Sequence, residues 1–257
     1  MRVNSQDARI DALPDYRARI YARYLQARQQ SLAPASVNEF APRAPYLRKL
    51  LRQHFPADRN AAILDLGCGE GALCHFAQLA GYRNVMGIDR SPAQVTAARR
   101  LQIAGVKKGD LLEALHSLPS QSQDMVVAFD VIEHLTKEEL LDCVDHVHRV
   151  LRPGGKWIIH TPNGESPFAG RARYGDFTHE LAFTRASLTQ LLLASQFAYI
   201  ACYEDAPIPH GMKSAVRWLL WKVIRGGLRL YLAVETGAHE SECILSQNFL
   251  AVANREG

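Results

Sequence analysis

The stretch ILDLGCGEGALC, residues 63–74, sets three glycines, Gly67, Gly69 and Gly71, at alternate positions directly after an aliphatic run. Such a run reads as a strand buried on both faces. Glycines at its end let bare backbone approach a ligand without a Cβ in the way. From residue 61 onward the chain alternates in the same manner. NVMGID (84–89), VKKGDLL (106–112), DMVVAFDV (124–131), KWIIHTPN (156–163), FAYIACYED (197–205) and CILSQNFLAVAN (243–254) read as further strands. Helices are expected over 71–80, after the Ser91-Pro92 cap, after the Thr136/Glu139 capping box and over 185–195. Arg152-Pro153-Gly154-Gly155 is expected to stop the capping-box helix. This alternation implies an open, mostly parallel sheet with helices on both faces.

The other segments are less constrained. Residues 14–30 and 42–55 read as basic helices, the second with Tyr46, Leu47, Leu50, Leu51 and Phe55 at helical spacing, forming a lid or flank over 1–59. The 257 residues are 47% hydrophobic and 22% charged, enough for a sizeable core. A net charge of +4 is too small to argue for nucleic acid, and no basic run with interleaved aromatics occurs in the core. Five scattered cysteines without a CxxC pair read as reduced thiols in a cytosolic protein. The first residues carry no apolar signal region, and no apolar stretch reaches the roughly 18 residues of a membrane span.

In sheets of this kind ligands sit beyond the carboxyl ends of the strands. Asp89, ending the second strand, suits the hydroxyls of a ribose. Gly67, Gly69 and Ala72 loosely satisfy a dinucleotide fingerprint. Asp65 argues the other way, because a pyrophosphate gains nothing from an added carboxylate whereas a ligand with an amine and a sulfonium does.

LDLGCGEG, GIDRS, KKGDL and FDVIEHL followed by LRPGGKWIIHTPN stand in an order that resembles the class I S-adenosylmethionine-dependent methyltransferases, over roughly residues 60–165. The resemblance implies a Rossmann-like seven-stranded α/β sheet, mostly parallel with an antiparallel last strand, over 60–257. It also implies S-adenosyl-L-methionine as cofactor. Asp65, Gly67, Cys68, Gly69 and Asp130 would serve the methionine side, Asp89 and Arg90 the ribose, and Asp110 and Leu111 the adenine. Asp110 also reads as a helix cap.

Transfer to a hydroxyl calls for a base. His134, His179 and Glu180 are the catalytic candidates, while His160, inside an apolar strand, reads as a satisfied core histidine. Asp130, Glu133 and His134 are similar to the metal-binding pattern of ubiquinone-type O-methyltransferases, with Asp where that pattern has Glu; no metal is assigned. The loop 165–184, with Tyr174, Asp176, His179 and Glu180, is similar to methyltransferases of bacterial surface-glycan synthesis and suits a polar acceptor. The function expected is O-methylation of a small-molecule or carbohydrate acceptor. The alternatives are a ubiquinone-type aromatic hydroxyl methyltransferase and a cofactor-binding module without catalysis.

The insertion 206–242 contains KSAVRWLLWKVIRGGLRLYLAVETG (213–237). On a helical wheel Lys222, Arg225 and Arg229 fall within about 60° and the aliphatic residues lie largely opposite. A cap over the active site or a dimer contact is expected here, with Gly226-Gly227 weakening the helix; a peripheral contact with an anionic membrane is the alternative.

Overall fold

The computed structural model describes Ile20, residues 34–237 and residues 243–257. Most of the expected helix 14–30 lies outside these residues. Seven strands form one sheet: β1 Ala62–Leu66, β2 Asn84–Asp89, β3 Val106–Lys108, β4 Gln123–Phe129, β5 Leu151–Pro162, β6 Phe197–Glu204 and β7 Asn248–Arg255. Their order is β3-β2-β1-β4-β5-β7-β6. Pairings from β3 through β5 are parallel, and β7 runs antiparallel to both β5 and β6. The order reverses between β1 and β4, which opens a crevice at their carboxyl ends.

Side chains on β1 alternate between the two faces. Leu64 and Leu66 join a core with α4 (Leu111–Ser117), α5 (Lys137–Val150) and α7 (Arg185–Ala194). Ile63 joins the opposite core with α1 (Ala44–His54), α2 (Ala72–Leu79) and α3 (Pro92–Arg100). Helix α1 buries Leu47, Leu50 and Leu51 there, so the expected flank is packed into the same core as the central strand. Both cap signals hold: Ser91 accepts the Gln94 amide, and Thr136 and Glu139 form a reciprocal capping box.

Several boundaries differ from the sequence expectation. The third strand ends at Lys108, because Asp110 caps α4 through the amides of Leu112 and Glu113. The Arg152–Gly155 stretch lies within β5: Gln123 pairs with Leu151 and Met125 with Lys156, so a bulge absorbs the residues between. The last strand begins at Asn248 instead of residue 243, since the preceding backbone is held by a side chain: Asn163 Nδ2 donates to the carbonyls of Ile244 and Ser246. Loop 165–184 contains a short helix, α6 (Ala169–Tyr174). The insertion forms one 25-residue helix, α8 (Met212–Thr236), which passes through Gly226-Gly227. All five cysteines are free, and among the described residues no helix is long and apolar enough to cross a membrane.

Candidate active site

A cavity of about 630 Å³ opens at the carboxyl ends of β1, β2 and β4. All nine expected cofactor residues line it: Asp65, Gly67, Cys68, Gly69, Asp89, Arg90, Asp110, Leu111 and Asp130. Gly67 has φ +68°, and an added Cβ would collide with Val131 Cγ2. At Gly69, φ +56°, an added Cβ would meet nothing within 4 Å. The first glycine is therefore required by the close approach of two loops, and the second keeps a backbone surface clear.

The loop is tied to the neighbouring strand. Asp89 Oδ2 accepts the Gly69 amide at 2.7 Å and Oδ1 accepts the Ser91 amide at 2.8 Å. Each carboxylate oxygen has a second lone pair, so Asp89 can hold the loop and still accept from a diol. Burial is the main cause raising its pKa. Asp65 is 3% exposed, and burial pushes its carboxyl up to about 8, against the Cys74 thiol that donates to it and with the Asp89 charge adding to the rise. A buried carboxyl with so little compensation suits a cationic ligand. The Tyr46 hydroxyl, on α1, is a second buried polar group and has no hydrogen-bond partner among the described residues. These features fit an adenosine-type ligand with a cationic amino-acid end.

Another part of the cavity lining is built from residues that sequence reasoning only partly found. Asp130 follows β4 at φ +53°, an uncommon conformation for a side chain with a Cβ. Its Oδ1 meets His160 Nδ1 at 2.8 Å, and His160 Nε2 meets Asp205 Oδ2 at 3.5 Å. Burial alone would lower the His160 pKa, but the two carboxylates outweigh it and hold the imidazole at about 10. Burial likewise works to raise Asp130, and the hydrogen bond and charge of His160 bring it below its usual value. His160 is a satisfied histidine, as expected, but it also lines the cavity together with Asp205, Tyr46 and Phe129.

Of the three catalytic candidates, only His134 lines the cavity. Its Nδ1 lies 2.8 Å from Thr178 Oγ1 and 3.3 Å from the Thr178 carbonyl. The Thr178 hydroxyl proton is directed to Asp176 Oδ1 at 2.7 Å. Both neighbours of Nδ1 therefore act as acceptors, so in the neutral ring Nδ1 carries the hydrogen and Nε2 the lone pair. His179 stands behind, its ring centroid 4.7 Å from that of His134 and its Nδ1 near the Ala172 carbonyl. Glu180 contributes backbone: its amide donates to the Glu133 carbonyl and its carbonyl accepts from Arg173. Neither they nor Tyr174 and Asp176 line the cavity.

Glu133 is 1% exposed, accepts from Thr161 through Oε2 and leaves Oε1 without a partner; burial pushes it up to about 8. Donor atoms of Glu133, His134 and His179 fall within 4.8 Å of one another. Asp130 is not in that group, and its Oδ1 meets His160 instead. The structure thus gathers a set different from the Asp130, Glu133, His134 pattern of the sequence.

Residues 63–155 match a family model described as a methyltransferase domain. The chain is 37% identical over 137 residues to a probable S-adenosylmethionine-dependent methyltransferase of Mycolicibacterium smegmatis, covering 52% of this chain and 51% of that protein. It is 30% identical over 151 residues to a ubiquinone biosynthesis O-methyltransferase of Chelativorans, covering 54% and 58%. The matched region thus spans about half the length of these relatives. A solved SAM-dependent methyltransferase of Archaeoglobus fulgidus shares the fold at TM-score 0.64 and 20% identity, covering 91% of this chain and 99% of its own. Over about half of its length the chain is thus similar to S-adenosylmethionine-dependent methyltransferases, and it shares the fold of a solved one.

Proposed function

We propose that the chain transfers a methyl group from S-adenosyl-L-methionine to a hydroxyl of a polar, carbohydrate-like acceptor. The observation that carries this reading is the charged acceptor end of the cavity, where Asp130, the Asp130–His160–Asp205 ion set and the Tyr46 hydroxyl stand beside His134. Such a wall offers donors and acceptors to a polyol.

When bound, the cofactor supplies a methyl group already activated by the sulfonium it sits on. Asp65 offers its carboxylate to the cationic end, and Asp89, Asp110 and the Leu111 backbone hold the nucleoside. His134 Nε2 accepts the acceptor hydroxyl proton as that oxygen bonds to the methyl carbon and the carbon–sulfur bond breaks. Helix α1 covers the cavity with Tyr46 and Leu47 and limits water.

The test is incubation of the purified chain with methyl-labelled cofactor and two acceptor pools, glycan fractions and demethylated quinols, followed by identification of the labelled product. Label appearing as an O-methyl sugar supports the reading; label found only in the quinol pool refutes the carbohydrate assignment, and binding without transfer refutes the catalytic one.

A further inference from the structure

Helix α8 has its faces reversed relative to an ordinary surface helix. None of its residues lines the cavity. Ser214, Trp218, Trp221, Arg225, Leu228 and Leu232, at helical spacing, are its less exposed side. That side is fastened by polar contacts: Arg225 Nε meets Glu204 Oε2 at 2.7 Å, and Nη2 meets the Cys243 carbonyl at 3.3 Å. The opposite row is Met212, Val216, Leu219, Val223, Leu230 and Val234, at the spacing of a core stripe. It faces solvent: Met212 is 86% exposed, Val223 74% and Val234 78%. Gly226 and Gly227 lie on this same row and add no bulk to it.

Charge selects the occupant. The helix holds five basic residues, Lys213, Arg217, Lys222, Arg225 and Arg229, against a single acid, Glu235. At 3.6 residues per turn, Lys213 lies on one side of the apolar row with Arg217 beyond it, and Lys222 lies on the other side. Lys222 Nζ sits 3.6 Å from the Trp218 ring centroid, placing a cation over an aromatic at that border. Two copies paired through this row would bring their basic borders together. A bilayer with anionic headgroups satisfies both features at once: acyl chains for the row, phosphates for its edges. Among the described residues no helix is long and apolar enough to cross, so α8 would lie in the interfacial plane along its length.

We infer that α8 docks the protein on an anionic membrane surface through Val216, Leu219, Val223 and Leu230, with Arg217 and Lys222 meeting lipid phosphates. The test is flotation of the full chain with vesicles of phosphatidylcholine containing one quarter phosphatidylglycerol, against vesicles of phosphatidylcholine alone. The expected result is recovery with the anionic vesicles, a partition about five-fold lower for each of Arg217→Ala and Lys222→Ala, and a loss of at least about tenfold for the double variant Val223→Asp, Leu230→Asp. These positions face solvent, so the variants should retain the wild-type circular dichroism and melting temperature. No flotation with anionic vesicles overturns the inference, as does equal partition into both vesicle types. A stable dimer that persists beside vesicles, and that the double variant dissociates, also overturns it and assigns the row to a second copy.

Discussion

Replacing Asp65 by asparagine tests the electrostatics at the floor of the cavity. The carboxyl rises from its ordinary 3.8 to about 8, with burial as the largest cause. Below pH 3.8 both folded and unfolded chains hold the proton. Between 3.8 and 8 the unfolded chain has released it and the folded chain has not, so unfolding releases a proton and stability falls as pH rises; above 8 the loss is complete. One proton corresponds to about 1.4 kcal/mol per pH unit, so Asp65 alone costs the ligand-free protein up to roughly 3 kcal/mol between pH 6 and 8. Asp65→Asn cannot ionise and escapes this cost. Its urea-unfolding free energy should decline less steeply from pH 6 to 8 than that of the wild type, by about one proton, and at pH 8 it should be the more stable protein. Cofactor binding should move the opposite way. Loss of a charge-assisted contact weakens S-adenosylmethionine by about 10- to 100-fold. Wild-type calorimetry at pH 7 in buffers of different ionisation enthalpy should show a proton released on binding. If Asp65→Asn keeps the wild-type slope and affinity, the carboxyl is not a buried group poised for a cation, and the reasoning fails.

Four other outcomes follow from the geometry. Gly67→Ala should cost about 2–4 kcal/mol in urea unfolding, because it combines a positive φ with contact at Val131 Cγ2; a cost under about 0.5 kcal/mol would show that the two loops can part. His134→Ala should lower turnover by about 100-fold or more while leaving the cofactor dissociation constant near wild type, and unchanged turnover would remove His134 as the base. The His160 imidazole should titrate near 10 by NMR and move down in Asp205→Asn; since its folded pKa is raised above the ordinary 6.5, its contribution to stability is complete below 6.5 and lost as pH rises through 10. Exhaustive chelation should change the rate by less than about twofold if His134 serves as the base and not as a metal ligand beside Glu133 and His179; loss of activity that magnesium restores would favour the quinol reading.

The cofactor half of the site was legible because its signals are local. A glycine loop after a strand, an acid ending the next strand and a capping residue before a helix are each fixed within a few residues of chain, and Asp65, Gly69, Asp89 and Asp110 all line the cavity. The acceptor half depends on distance. Asp205 follows an edge strand with no motif to mark it and meets His160 only because the sheet brings residues 45 positions apart together. His160 looked like core because its neighbours in sequence are apolar. The orientation of α8 was hidden for the same reason: periodicity shows that a helix has two faces, but Arg225 finding Glu204 decides which one turns inward.

The antiparallel β7 also bears on the order in which the sheet assembles during synthesis. It separates β5 from β6, and Asp205 donates its amide to Ser246 just ahead of it. During synthesis β5 and β6 emerge first with no partner between them, while β1 through β4 can already pair. A nascent chain can therefore complete its nucleoside pocket on the ribosome, whereas the wall facing the methyl acceptor closes only once the final strand slots into the gap.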